Sequence, residues 1–250
     1  MEFGQNWFIR GGFGAYVARL ARGLPIRLGT AVSRIDWSGR GVALETAAGR
    51  IEARAALVTA PVMVMRDPAA LAFAPDLPDP VRAAIDGFLP GYYEHVVLDW
   101  PTSPFSGADR FASVAGDRQA PGIFSRIDGS PFHYVVLETQ AVRSVDRHRD
   151  TADAARRFVR GAIGRLYGEG VLRGLAAPAV TEWRRDPLAR GSWAVVPPGH
   201  AGARGLLKEP VGDRILFAGE ALSHDQWGTV GGAWAEGERA ADSIAARLKG

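Results

Sequence analysis

The residues best placed to do chemistry lie in GEALSHDQWGTVGG, 219–232. This stretch gathers an acid (Glu220), a tryptophan (Trp227) and four glycines (Gly219, Gly228, Gly231, Gly232). The apolar run Ile215-Leu216-Phe217-Ala218 before it has the character of a buried strand. The amphipathic stretch after it reads as a helix from about Gly231 to Leu248. Gly219 at the strand's carboxyl end permits a close backbone approach. The first-turn amides of a helix lack intrahelical acceptors and carry the positive end of its dipole. Gly228, Gly231 and Gly232 keep side chains away from those amides, and no Ser or Asp precedes them as a cap. An anionic or electron-rich group could therefore sit there. A loop that needs glycine only for its turns fits the same residues.

Other chemistry is scarcer. Gly12-x-Gly14-x-x-Val17 follows Trp7-Phe8-Ile9, with Asp36 further on, and so imitates a dinucleotide fingerprint. That fingerprint needs a small sixth residue and a second parallel strand carrying the acid. Here the sixth residue is valine and Asp36 leads into a β-meander, so the segment reads as a glycine turn that starts a packed helix. The chain has no cysteine, which removes disulfides, thiolate metal sites and thioether-linked cofactors. Its five histidines (95, 133, 148, 200, 224) show no His-x-x-x-His spacing, so no metal is expected.

A chain of 250 residues that is 47% hydrophobic and 23% charged can bury a substantial core. A net charge of +3 with interspersed signs leaves no footprint for nucleic acid. No run approaches the ~18 apolar residues of a membrane helix, and no signal-peptide apolar region opens the chain. These features point to a cytoplasmic protein without nucleic-acid or membrane partners.

The elements that must position these residues follow from patterning. A helix begins near Gly14 and ends at Gly23. A meander follows, with strands over Ile26–Ile35, Val42–Thr46, Ile51–Ala53 and Ala55–Thr59, stopped by Pro61. Beyond proline-rich loops come a short helix from Val81 and strands over Tyr92–Trp100 and Phe132–Glu138. An amphipathic helix over 152–167 carries Ala155, Phe158, Val159, Ile163 and Leu166 on one face. A strand is expected over Thr181–Arg185. The last helix should bury Ala233, Ala240, Ala241, Ile244, Ala245 and Leu248.

The stretch RILFAGEALSHDQWGTVGGAWAEGERAA (214–241) resembles the C-terminal FAD-binding motif of the flavin-containing amine oxidases, which include monoamine, polyamine and L-amino-acid oxidases. Three further stretches resemble that family in its own order: 10–61 its glycine turn, helix and meander; LAFAPDLPDPVRAAIDGFLPGYYEHVVLDWP (71–101) the start of its substrate segment; WRRDPLARGSWAVVPPG (183–199) the loop leading back to the flavin. The resemblance implies an α/β fold in which a partial FAD/NAD(P)-binding (glutathione-reductase-like) domain is interleaved with a β-rich α+β substrate domain. Residues 1–62 and 186–250 would form the former and 63–185 the latter.

Residue by residue, it implies that Gly219 and Glu220 lie by the pyrophosphate and ribityl chain of FAD. The Val230 amide, with Gly228 and Thr229 at the helix start, would face the flavin's pyrimidine carbonyl. The backbone at Ala31 and Val32 would meet the adenine, and Thr59, Ala60 and Pro61 would border the nucleotide. Trp193 matches an aromatic residue that flanks the substrate amine; a core tryptophan fits it equally. Thr229 stands at the second aromatic wall, so the cage is incomplete unless Trp227 supplies it. Ser192 replaces the cysteine that tethers FAD in some members, which implies non-covalent binding. His95 replaces the lysine that holds a water near flavin N5, which leaves both an oxidase and a dehydrogenase open, and also an ordinary strand histidine.

The family's opening strand, G-x-G-x-x-G turn and ribose-binding acid are not in the sequence. The expectation is a partner polypeptide that carries them in a heteromer, with a truncated chain or a non-catalytic assembly subunit as alternatives. The implied activity is oxidation of an amine or amino acid to an imine by hydride transfer to flavin N5. A carotenoid-desaturase-like or protoporphyrinogen-oxidase-like enzyme is the other enzymatic reading.

Overall fold

A computed structural model describes residues 9–112 and 121–249. Trp7 and Phe8 of the glycine-turn motif lie outside them. The chain divides into two units, one of Arg27–Gly91 with 183–249, the other of 9–26 with Tyr92–Glu182. The expected first segment, 1–62, is thus shared between them. Among the described residues no helix is long and apolar enough to cross a membrane, and no cluster of three or more His, Cys, Asp or Glu could hold a metal.

In the first unit, Val32–Asp36, Val42–Thr46 and Gly49–Ala53 form an antiparallel meander, and Ala72–Ala74 joins Val32–Asp36 in parallel. The first strand is shorter than the expected Ile26–Ile35. Gly29 has a positive φ of 64°, which breaks extension there, and Leu28 is left exposed. The Asp36 carboxylate accepts from the Ser38 amide at 3.0 Å and the Ser38 hydroxyl at 2.7 Å. It is a turn residue, as its place in a meander suggests. A separate parallel pair, Ala56–Val58 with Ile215–Phe217, runs through the core. Ile35, Met65, Ile85, Phe88, Leu207, Ile215 and Phe217 fill that core, with Phe73 edge-on to Phe217 at 6.1 Å.

The C-terminal helix spans Val230–Lys249. Of the expected apolar stripe only Ala240 is buried. Ala233 and Ile244 are half-buried, and Ala241, Ala245 and Leu248 are exposed. The helix is held instead by a buried acid. Glu236 accepts from Lys208 at 2.6 Å and Arg239 at 2.7 Å, while Arg239 also reaches the Phe217 carbonyl at 2.9 Å. Periodicity found the helix, but it could not tell which face a neighbour covers.

The second unit is a five-stranded antiparallel sheet, in the order Ala176–Val180, Tyr93–Asp99, Phe132–Glu138, Gly122–Ser125, Arg110–Ala112. Its outermost strand near residue 180 ends where the expected Thr181–Arg185 strand begins. The small residues 176–180 pair with Tyr93–Asp99, and the Thr181 hydroxyl closes the edge by donating to Glu94 and accepting from the His95 amide. Helices Thr139–Val145 and Thr151–Tyr167 cover one face, around Val96, Leu98, Trp100, Val135, Leu137, Val159 and Ile163. Asp150 caps the longer helix by accepting from the Asp153 amide at 2.8 Å.

Helix Phe13–Leu20 forms as expected but buries none of its residues. Phe13, Tyr16, Val17 and Leu20, spaced for one stripe, stay exposed. The expectation of a packed helix is therefore corrected for the described residues.

Candidate cofactor cavity and the histidine row

Both strands of the parallel pair end at one cavity of about 290 Å3 in the first unit. Thr59, Ala60 and Pro61 follow the first strand into its wall, and Ala218, Gly219 and Glu220 follow the second. Carboxyl ends of parallel strands are where open α/β sheets place ligands, because the backbone diverges there. Gly191, Ser192, Trp193 and Ala194 supply the opposite wall. Gly219 adopts φ 132°, which side-chain-bearing residues rarely do, and a Cβ there would meet open space.

Glu220 is the hinge of the site. Its two carboxylate oxygens accept from two backbone amides, Ala194 at 2.8 Å and Gly228 at 2.8 Å. One side chain thus ties the 191–194 wall to the loop that opens the last helix. Arg204, only 6% exposed, braces the same segments from behind. Its guanidinium donates to the Ala221 carbonyl and, at 3.3 Å, to the Ala194 carbonyl. It also lies 5.4 Å from the Phe88 ring and 5.3 Å from the Trp227 ring. Burial lowers its pKa and Glu220 raises it. Sequence reading missed Arg204, because AGARGLLKEP has no pattern that separates it from a surface arginine.

The helix start is not bare. Thr229 is its cap, the hydroxyl accepting from the Gly232 amide at 3.0 Å and the carbonyl from the Ala233 amide at 3.1 Å. Gly232 is required for a different reason from the one expected, since a Cβ there would meet the Gln226 carbonyl at 2.1 Å. The amides of Val230 and Gly231 precede the helical ladder.

Of the sequence-predicted residues, Ala60, Gly219, Glu220 and Trp193 therefore meet at the cavity, with Thr59, Pro61 and Ser192. Gly228, Thr229, Val230 and Trp227 do not line it. Gly228 is nonetheless bonded to Glu220, and a Cβ on it would stand 3.4 Å from the Trp193 ring. Val32 sits on the meander, half-buried against the core. Ser192 Oγ is buried with no hydrogen-bond partner among the described residues. A buried polar atom costs free energy unless it is paired, so this orphan in the cavity wall suits a polar ligand.

His95 belongs to the other unit, on the sheet face opposite the two helices. Its Nε2 lies 2.6 Å from the Tyr134 hydroxyl, its ring edge-on to Tyr93 at 4.9 Å. Burial lowers its pKa from 6.5 to about 4. His133, on the helix-covered face among Trp100 and Phe105, has both ring nitrogens buried and unpartnered among the described residues, and burial lowers its pKa too. Above pH 6.5 both histidines are neutral in the folded and unfolded chain. As pH falls below 6.5 the unfolded chain protonates at position 95 while the folded chain refuses that proton until about 4, so stability is lost across that window, and the lowered pKa of His133 adds a loss in the same direction. At ~1.4 kcal/mol per pKa unit, His95 alone contributes a loss of roughly 3 kcal/mol. Urea midpoints at pH 7.5 and pH 5 should therefore lie far apart in the wild type and closer in His95→Gln and His133→Leu. An unchanged gap in both variants would count against this assignment.

Comparison with known proteins adds an independent line. The profile described as flavin containing amine oxidoreductase matches residues 1–245. Human lysine-specific histone demethylase 2 is 29% identical over 255 residues, covering 97% of this chain and 31% of that protein. Lysine-specific histone demethylase 1 homolog 1 of Arabidopsis thaliana is 29% identical over 252 residues, covering 96% and 30%. Among solved structures, putrescine oxidase bound to putrescine shares the fold with a TM-score of 0.75 at 18% identity, covering 94% of this chain and 53% of that one. Cyclohexylamine oxidase from Brevibacterium oxydans gives a TM-score of 0.69 at 20% identity, covering 88% and 48%. The chain thus spans under a third of these curated relatives and about half of these solved ones.

Proposed function

Since the chain belongs to the flavin-containing amine oxidoreductase family, whose cofactor is FAD, we propose that it forms the part of an FAD-dependent enzyme that oxidises a CH–NH or CH–NH2 group to an imine. The observation that carries this reading is the cavity at the carboxyl ends of the parallel pair, with its orphan Ser192 hydroxyl. Bound FAD supplies the hydride acceptor.

The chain's own residues do the rest. Gly219, Ala60 and the 59–61 turn let the cofactor approach the backbone closely. Glu220 acts by fixing the 191–194 wall against the Gly228 loop, its oxygens being already engaged by two amides. The amides of Val230 and Gly231 offer the positive end of the helix dipole to an electron-rich carbonyl. Trp193 gives an aromatic wall that excludes water beside the amine, and Gly228, the residue after Trp227, lies against its ring. Ser192 stands where some family members tether FAD through cysteine, which supports non-covalent FAD.

The strand, glycine turn and ribose-binding acid that complete such a site are proposed to come from a partner chain or from further residues of the same polypeptide. The two-stranded parallel pair, with free edges among the described residues, supports this.

The test is isolation of the native protein with whatever accompanies it. Flavin absorption should be present and should leave with the supernatant on acid precipitation. An amine and polyamine panel, read by peroxide and by dye reduction, then assigns substrate and acceptor. Colourless native protein that FAD does not reconstitute would end the enzyme reading.

A further inference from the structure

Arg190 holds a backbone conformation that costs free energy, between two residues of the cavity wall. Its φ is 60°, in the left-handed region where a side chain is strained and glycine is not. Its neighbours Ala189 and Gly191 both line the cavity. The loop around it is closed by its own bonds. The Trp183 carbonyl accepts from the Gly191 amide at 3.0 Å, and the Asp186 carbonyl from the Ala189 and Arg190 amides at 3.2 and 2.9 Å. The Asp186 carboxylate accepts from the Leu188 amide at 2.7 Å. Leu188, within this turn, is 72% exposed, so its burial anchors nothing.

The Arg190 guanidinium leaves the loop and donates to the Asp67 carboxylate at 2.6 Å, across 123 positions of sequence. Asp67 stands two residues after Met65, which lines the cavity together with Val62 and Met63 from the short helix Val62–Met65. Its other oxygen accepts from the Ala69 amide at 2.9 Å, which fixes the carboxylate. Arg190, and then that amide, hold the Asp67 carboxyl below the usual carboxylate range, so it is ionised at neutral pH. Both side chains are about one-third exposed, 32% for Arg190 and 38% for Asp67, so salt reaches the pair. Such a pair adds little to fold stability, and glycine would make the same turn without strain. What arginine supplies and glycine could not is a tie between two parts of the cavity wall. Beyond Gly191 the chain is fixed separately, by pairing of Ala194–Val195 with Leu89–Pro90. The tie therefore acts on the 183–191 loop.

We propose that Arg190 and Asp67 are positioning residues for the cofactor, their ion pair latching the 183–191 loop to the Val62–Met65 helix and keeping the cavity in its binding shape. The proposal rests on the FAD-binding reading above. Neither side chain lines the cavity; Arg190 acts through Ala189 and Gly191, and Asp67 through Met65. Because solvent reaches the latch, rising ionic strength weakens it and FAD retention falls.

Arg190→Gly separates the latch from the fold, because it relieves the strained φ while deleting the tie. In the native protein with whatever accompanies it, this variant should unfold at the wild-type urea concentration or above. It should nonetheless bind FAD about threefold more weakly at low salt, the size expected from a half-exposed pair. In about 1 M salt, where the Debye length is ~3 Å, that difference from wild type should close. Asp67→Asn keeps the Ala69 contact and removes the charge. It should bind FAD as weakly as Arg190→Gly, and trypsin should cut it faster than wild type at Arg184 or Arg185 with FAD absent. Arg190→Lys, which keeps the charge, should recover most of the affinity and its salt dependence. Wild-type affinity and tryptic rate in Asp67→Asn, or one salt dependence shared by wild type and Arg190→Gly, overturn the latch alone. FAD losses that only follow lowered urea midpoints make the pair an ordinary support and overturn it too. Wild-type protein that binds no FAD overturns the reading beneath it, whatever the tryptic rates.

Discussion

Glu220→Ala is expected to strip flavin from the protein and loosen the unit around it. Ala194 and Gly228 each donate a backbone amide to this carboxylate at 2.8 Å. Bonds to a charged acceptor are worth ~1.5–3 kcal/mol each, and water at the exposed Gly228 recovers part of one, so the net loss is about 2–4 kcal/mol. The 191–194 wall and the Gly228 loop then move independently, and Trp193, against which Gly228 rests, loses its fixed place. A cavity that no longer holds its shape must be reordered at each binding event, which weakens FAD by tenfold or more at ~1.4 kcal/mol per decade. Glu220→Gln, with one acceptor oxygen in place of two, should fall between. Urea titration and flavin titration read the two effects. FAD affinity equal to wild type in the alanine variant would show that the tie is dispensable.

Arg204→Met should cost about 3–4 kcal/mol, because the side chain is buried and charged, donates to two carbonyls and stacks near two rings. Methionine restores the volume and leaves the Ala221 and Ala194 carbonyls unpaired. Arg204→Lys keeps the charge but presents a point donor in place of a fork, so it reaches one carbonyl at a time and should rescue only part. Trp227 fluorescence should shift in both variants, since the guanidinium lies 5.3 Å from that ring. Arg204 and Glu220 hold Ala194 from its carbonyl and its amide respectively. The double variant should therefore be less destabilised than the sum of the singles, by 1 kcal/mol or so. Strict additivity would mean that the two residues act on separate structures.

The local elements that border the cavity were legible in the residues alone. Gly219 and Glu220 after an apolar strand, and the 59–61 turn after another, reach one cavity because each motif is local: a strand, a stop and a glycine. Phe132–Glu138 matches its expected span, and the long helix Thr151–Tyr167 begins one residue before its own, because in both cases patterning and flanking turns agree. Where several continuations are locally equivalent the reading slipped. The edge strand ended at Val180 because its neighbour's pairing register decided it.

The glycines at 228, 231 and 232 show the division most clearly. Their sequence marked a helix start of unusual composition and, with the neighbouring motifs, the family. It did not reveal that Thr229 caps the helix, that Gln226 lies against Gly232, or that Glu220 clamps Gly228. Nor did it bring Tyr134 to His95 across two strands, or bury Arg204 behind Ala194. Composition and periodicity specify what one segment can do with its own backbone. Hydrogen bonds between residues 26 or 39 positions apart depend on packing, which exists only when distant segments share one core.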